Sequence, residues 1–349
     1  MEIKPIVTIG IPIYNVEKYI YRCVSSALNQ DFCHHYEIIA VDDCGNDGSM
    51  TILQNLIKSH PKGEIVRIIK HDKNKGLAEA RNTVIQNAKG YYIYFMDSDD
   101  FIIPNTLSLL YISAEKYKAD VVFGSNIKQE DDITWTDDDD ILPDRQFLTK
   151  KDFLSYVYMN SDIHVPITVW NILFKTSFLH NNQLLFPNIR YQEDIAFNEL
   201  YHPLVERAVF ISTQTYHYVI RRDSLMSKRA RPSIGIEEAN RAFLLCDVIK
   251  KSCNQWKNED FYCGKCNVVM KNCFYNMGGL IKHKNKFSES LPMKSVRDAM
   301  RHPASLFTIL KFKKYRIENL FYYMIGTLPP RISVWLIEYA CEKKGHFQN

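Results

Sequence analysis

The chain has 349 residues, about twice a typical domain, with 46% hydrophobic and 13% aromatic residues and no internal repeat, which excludes a disordered, collagen-like or solenoid protein and predicts two folded regions. No run approaches the roughly 20 apolar residues of a membrane helix. Met1–Pro5 lacks the apolar run of a secretion signal, and the nine cysteines are irregularly spaced, so a cytoplasmic protein with reduced thiols is expected.

The net charge of +4 is unevenly divided: residues 1–225 carry 22 Lys+Arg against 30 Asp+Glu, and residues 226–349 carry 22 against 10. The acidic part would repel a phosphate backbone, and no helix-turn-helix, finger or RNP signature is present, so no nucleic-acid partner is expected. The basic part, which begins at Lys228, Arg229 and Arg231, suits either solvated helix surface or an anionic partner.

In chain order, Ile6–Pro12 reads as a strand, followed by Tyr14 and Asn15 and then a helix over Val16–Gln30. Tyr36–Val41 is a second strand ending in Asp42 and Asp43. The cap-rich turn Cys44–Ser49 leads into a helix to Ser59. Glu64–Lys70 is a third strand, and Leu77–Ala88 a helix with Arg81 and Asn82 in its first turns and Gly90 as its stop. Tyr91–Asp97 is apolar and aromatic without a turn residue, the pattern of a strand covered on both faces. It runs into Asp97, Ser98, Asp99 and Asp100. Strands alternating with helices predict a doubly wound sheet, on which ligands sit beyond the carboxyl ends of the strands. Three strands deliver polar clusters to that edge: Tyr14 and Asn15, Asp42 and Asp43, and Asp97 to Asp100. Three carboxylates at the end of a buried strand repel one another, so they either hold a divalent cation or are solvated acids capping the next helix. The glycine fingerprints of dinucleotide and P-loop sites are absent.

Further on, Pro104–Tyr117 is a helix and Asp120–Gly124 a strand. The acids of residues 129–145 read as a solvated loop. Lys151–Met159 is helical, and Val165–Phe174, with Trp170 and Asn171, pairs into a second sheet region. Glu193 and Asp194 precede an amphipathic segment, Ile195–Leu204, where the helix dipole stabilises acids. Val209–Ile211 and Tyr216–Ile220 are strands, the second ending at Arg221, Arg222, Asp223 and Ser224. From Ile234 the pattern is helical: Ala239–Ser252, Cys263–Lys282, Ser305–Met324 and Arg331–Cys341. Cys263 and Cys266 have metal-ligand spacing without a second pair nearby, which disfavours zinc.

The order Pro12-Ile13-Tyr14-Asn15, Val41-Asp42-Asp43, Gly76-Leu77-Ala78-Glu79-Ala80-Arg81-Asn82 and Phe95-Met96-Asp97-Ser98-Asp99-Asp100, with the later Glu193-Asp194, resembles the family 2 glycosyltransferases over residues 5–225. The resemblance implies a GT-A α/β fold with a doubly wound mixed sheet over 1–232, divided into a nucleotide-sugar half (1–103) and an acceptor half (104–232); the basic, mainly helical C-terminal region expected over 233–349 lies outside it. It implies an inverting, metal-dependent cytosolic hexosyltransferase that uses a nucleotide sugar, a UDP-hexose above others. The acceptor would be a growing surface glycan or lipid-linked oligosaccharide. Independently of the resemblance, the basic and aromatic residues of the C-terminal region, among them Lys311, Lys313, Lys314, Arg316, Arg331 and Trp335, suit peripheral contact with the inner membrane face near a lipid-linked acceptor.

By the family pattern Asp99 is the ligand to Mn²⁺ or Mg²⁺, Asp97 is on the ribose side with Ser98 beside it, and Asp194 is the base with Glu193 positioning the acceptor. Pro12, Tyr14, Asn15 and Asp43 line the base and ribose pocket. Arg221, Arg222 and Ser224 resemble a diphosphate-gripping loop, in which only one of two adjacent arginines reaches phosphate. Arg81 either meets the nucleotide or pairs with Asp42 or Asp72. His217 is an additional metal ligand, an acceptor contact or a paired core histidine, and Trp170 either stacks on the acceptor or is core. The chain departs from the family after Trp170-Asn171, where Ile172-Leu173-Phe174-Lys175 replaces an earlier lysine on the acceptor side. A nucleotidylyltransferase would need a glycine-rich loop after the first strand, which is absent. A catalytically inactive nucleotide-sugar-binding protein is the alternative that the intact Asp97, Asp99 and Asp194 oppose.

Overall fold

A computed structural model describes residues 4–130, 133–137, 140–160, 165–190, 192–220 and 235–343. Its elements are β1 (Val7–Ile13), α1 (Ile20–Leu28), β2 (Tyr36–Asp42), α2 (Ser49–Ser59), β3 (Val66–Lys70), α3 (Leu77–Asn87), β4 (Tyr92–Phe95), β5 (Phe101–Ile102), α4 (Thr106–Tyr117), β6 (Val121–Glu130), β7 (Ile133–Trp135), β8 (Arg145–Phe147), α5 (Lys150–Met159), β9 (Ile172–Lys175), α6 (Thr176–Asn181), α7 (Glu193–Tyr201), β10 (Ala208–Val219), α8 (Ile236–Lys251), α9 (Tyr262–Lys282), α10 (Met293–Ala299), α11 (Leu306–Leu310), α12 (Arg316–Thr327) and α13 (Pro330–Lys343).

Two compact units divide these elements. The first holds residues 1–153, 164–188 and 203–225; the second holds 154–163, 189–202 and 226–349. The first is built on one mixed sheet in the order β3-β2-β1-β4-β9-β6-β10-β5, with β7 on β6 and β8 on β10. β1 pairs in parallel with β2 and β4, and β2 with β3. β9 runs antiparallel to both β4 and β6. All seven residues of β1 are buried, as its unbroken apolar run requires of a strand covered on both faces. Gly10 lets α3 lie directly on β1: a Cβ there would come within 2.5 Å of a Val84 methyl. The core of this unit joins β1, β2 and β4 to α1 and α4.

The alternating pattern up to Asp97 is realised as expected, and three differences have physical causes. The strand expected to reach Asp97 stops at Phe95, because the aspartates turn the chain and Asp100 N–H bonds back to the Asp97 carbonyl at 3.2 Å. The two late strands are one long β10, interrupted only by register shifts between Ile211 and Tyr216. The acidic segment 129–145 is not simply a solvated loop: β7 folds back on β6, and Lys128 pairs with Asp137 and, at 3.0 Å, with Asp140.

The second unit has its own core, made by α8, α9, α10, α12 and α13. Cys246 lies on α8 and Cys253, seven residues later, just past its end; Cys266 and Cys273, also seven apart, lie on α9. The two helices bring them into two thiol contacts, Cys246 with Cys273 and Cys253 with Cys266. Cys266 is therefore a packing residue. Among the described residues, only the aspartate trio at Asp97 groups three side chains that could hold a metal. The helix expected over Ser305–Met324 is broken into α11 and α12, with Tyr315 at φ 54° between them.

Candidate active site

The parallel register of β1, β2 and β4 brings their carboxyl ends to one edge, and the polar residues that follow each strand meet there. Pro12 is buried within β1. Tyr14, half exposed, and Asn15 follow it. Asn15 takes a left-handed φ of 53°, which asparagine tolerates, and its Oδ1 accepts from Asn46 N–H at 2.9 Å. Val16 N–H donates to Ser49 Oγ, and Glu17 N–H to Asp47 Oδ2. These bonds zip the loop after β1 to the loop after β2.

Asp43 is buried and its carboxylate is fully employed. Oδ1 accepts from Lys75 N–H at 2.8 Å and contacts His71 Nδ1 at 2.7 Å; Oδ2 accepts from Gly76 N–H at 2.9 Å and Asn74 Nδ2 at 3.0 Å. Four partners fill the acceptor positions of a carboxylate. They hold the turn that enters α3, where Gly76 has a φ of 91° open to few residues but glycine.

From α3, the buried Arg81 reaches Asp97, with Nη2 2.8 Å from Oδ1, rather than Asp42 or Asp72. Its neighbour Asn82 clasps the Phe186 backbone, accepting its N–H at 2.7 Å and donating to its carbonyl at 3.0 Å. Asp97, Asp99 and Asp100 present one ligand oxygen each, all within 4.8 Å of one another. Ser98 between them is buried. Asp100 is 1% exposed, accepting from Tyr216 Oη at 2.7 Å and from Val219 N–H at 2.7 Å. Tyr216 Oη in turn accepts from Asp97 N–H at 3.1 Å. Burial, then the charges of Asp99 and Asp97, push the Asp100 carboxyl well above the usual range despite those two bonds. An all-oxygen donor set whose charges raise the proton affinity of its most buried member fits a hard divalent cation.

A family model described as glycosyl transferase family 2 matches residues 8–178, which include every residue of this edge up to the trio. The chain belongs to that family. Among relatives of this glycosyltransferase, EpsJ of Bacillus subtilis, an uncharacterized glycosyltransferase, is 29% identical over 305 residues, covering 85% of this chain and 87% of EpsJ. A chondroitin synthase of Escherichia coli is 45% identical over 105 residues, 30% of this chain and 15% of the synthase. In fold, the chain is similar to residues 1–349 of TarS of S. aureus, solved in complex with UDP-GlcNAc: TM-score 0.68, 18% identity, 97% of this chain and 92% of that one. The fold is that of a GT-A glycosyltransferase with a helical carboxyl-terminal region.

The glycosyltransferase's acidic pair lies in the second unit. Glu193, buried, and Asp194, partly exposed, form the first turn of α7, whose preceding residue Gln192 has a φ of 55°, accepts Ala196 N–H at its carbonyl and makes no side-chain capping bond. Arg221, Arg222 and Ser224 lie outside the described residues.

Two residues left open by the sequence have definite places in the first unit. Trp170 stacks on Tyr216 at 4.6 Å and on Tyr218 at 5.5 Å between ring centroids, backing the tyrosine that holds Asp100. His217 is neither a metal ligand of the trio nor a paired core residue: it stacks on Phe101 at 4.2 Å, and its Nδ1 has no hydrogen-bond partner among the described residues. Tyr216 itself was missed. The only signal for it was its place in an aromatic strand whose register could not be read.

Proposed function

We propose that the chain transfers a hexose from a UDP-sugar, with inversion, to a hydroxyl of a growing surface glycan or lipid-linked oligosaccharide. The aspartate trio carries the reading: three clustered carboxylates, one of them driven toward protonation, beside a loop system that exposes a tyrosine at the carboxyl ends of parallel strands. Asp99 would hold Mn²⁺ or Mg²⁺, with Asp100 fixed behind it. When bound, such a cation offsets the negative charge of a departing diphosphate. Asp97, tied to Arg81, faces the ribose. Pro12, Tyr14 and Asn15 line the base pocket, and Asp43 shapes its wall through the turn it organises. Arg221, Arg222 and Ser224 supply the diphosphate grip.

The acceptor oxygen forms a bond to the anomeric carbon as the bond to the diphosphate breaks. The electron pair leaves with UDP, and the hydroxyl proton passes to Asp194. Inversion needs this one base and no enzyme nucleophile. Glu193 orients the acceptor. The UDP-GlcNAc complex of TarS and the glycan product named for the chondroitin synthase support this choice of donor and acceptor. The test is calorimetric binding of UDP, GDP and CDP with Mn²⁺, with EDTA, and with Asp99→Ala. UDP binding that needs both the cation and Asp99 is expected. Metal-dependent GDP binding would move the donor to a GDP-sugar, and no binding in any condition would sink the reading.

No helix among the described residues is long and apolar enough to cross a membrane. The second unit nonetheless exposes Phe307, Leu310, Ile317 and Trp335 in its basic stretch, with Lys311 over the Phe307 ring at 4.0 Å. We propose peripheral contact with anionic lipid through these residues. Cosedimentation with vesicles of phosphatidylglycerol at low salt, lost at high salt, is expected; no sedimentation at low salt would count against it.

A further inference from the structure

The segment Cys263-Gly264-Lys265-Cys266 is explained by neither metal binding nor packing alone. Gly264 marks a close helix approach: a Cβ there would come within 2.0 Å of the Tyr158 carbonyl oxygen on α5. This approach seats Lys265, fully buried, beside Tyr158 and Glu199. Its ammonium donates three hydrogen bonds: to Glu199 Oε2 at 2.7 Å, to the Glu199 carbonyl at 2.9 Å and to Tyr158 Oη at 3.3 Å. Tyr158 Oη also donates to the same Glu199 oxygen at 3.3 Å. All three protons of the ammonium are therefore used.

Glu199 lies in the last turn of α7, the helix whose first turn carries Asp194. Lys265 thus engages both a side chain and an open carbonyl at the negative end of that helix. A buried ion pair contributes little to stability that apolar residues of equal volume could not. What it provides is one geometry, because the carboxylate, carbonyl and phenol fix the ammonium from three directions. Over nine residues a helix is stiff, so an orientation fixed at Glu199 is passed to Asp194 about 7.5 Å along the axis.

We propose that Lys265, Glu199 and Tyr158 form a clamp that sets the orientation of α7 and with it the direction of the Asp194 carboxylate. Lys265 is then a positioning residue for the acceptor base. The inference rests on Asp194 being that base. Its test uses the full chain with Mn²⁺, and reads UDP release with water as acceptor from whichever of UDP-glucose, UDP-galactose, UDP-N-acetylglucosamine and UDP-N-acetylgalactosamine turns over fastest. Lys265→Met/Glu199→Leu removes both charges together, leaving neither unpaired. It is expected to keep the parent's circular dichroism and its UDP affinity within twofold, with kcat at least tenfold lower and donor KM within twofold. A folded double variant with kcat within twofold of the parent would overturn the clamp. Tyr158→Phe deletes a single oxygen and gives the same reading should the double variant not fold: kcat about threefold lower at unchanged donor KM, against no change if the clamp is only structural. Asp194→Asn, run alongside, separates the two ideas. If it keeps full kcat, the base assignment falls and takes the clamp's role with it. If it abolishes turnover while the clamp variants do not, the clamp alone falls.

Discussion

In the first unit, Asp97, Asp99 and Asp100 stand within 4.8 Å of one another, with Arg81 against Asp97 and a tyrosine and a backbone N–H on Asp100. In the second, Glu199 meets Lys265 at 2.7 Å, and the ammonium has no proton to spare. Both are charges taken out of water. The first group is of like sign and raises the proton affinity of its most buried member; the second is a pair of opposite sign. Opposite charges that saturate one another give a fixed geometry and leave nothing for a ligand. Like charges held together by the fold are stable only when something of the other sign arrives. The contrast separates residues that bind from residues that position.

The sharpest way to break this comparison is acid. His202 follows α7 and is buried; burial first, then the Lys265 charge, push its imidazole from 6.5 down to about 3. The folded chain therefore keeps this imidazole neutral where the unfolded chain takes up a proton. The stability it contributes is complete above the unfolded value and is lost as pH falls from 6.5 toward 3. Between pH of about 6.5 and 4 this one group should remove about 3 kcal/mol. Asp100 has the opposite sign: its raised carboxyl binds a proton in the folded chain first, so with chelator present it adds stability as pH falls. Urea unfolding with EDTA at the two pH values should show a net loss, largely abolished in His202→Gln. An equal loss in that variant would place the acid sensitivity elsewhere.

How much of this was legible follows from which contacts are local. The runs of β1, β2 and β4 end in polar residues within the same few positions, so the edge, the trio and the loop clusters were readable from spacing. Asn15, Asp43 and Asp97 follow the carboxyl ends of those strands, but their partners could not be read from spacing. Arg81 was left between the nucleotide and Asp42 or Asp72, and its partner Asp97 was not considered, because nothing in a helix shows which strand end it overlies. Tyr216 holds Asp100 from 116 positions further along the chain, through a strand whose register shifts twice. No alternation of polar and apolar residues encodes that pairing. Lys265 was hidden differently: two cysteines around it have the spacing of a metal site, and its burial depends on a helix approach that a glycine permits but does not announce.

A smaller effect tests the trio from behind. Tyr216→Phe removes one hydroxyl that both donates to Asp100 Oδ2 and accepts from Asp97 N–H. The ring remains, stacked on Trp170, so the packing is kept and only the polar bridge is lost. A buried carboxylate deprived of one partner costs about 2 kcal/mol, and that is the loss expected in urea unfolding with EDTA. With saturating Mn²⁺ the loss should shrink, because a cation held by Asp99 offsets the same charge on Asp100 that the hydroxyl had been stabilising. Equal losses in both conditions would mean that Asp100 belongs to the fold and not to the cation site. The trio would then reduce to a two-carboxylate site, closer in character to the paired charges of the second unit than its clustering suggests.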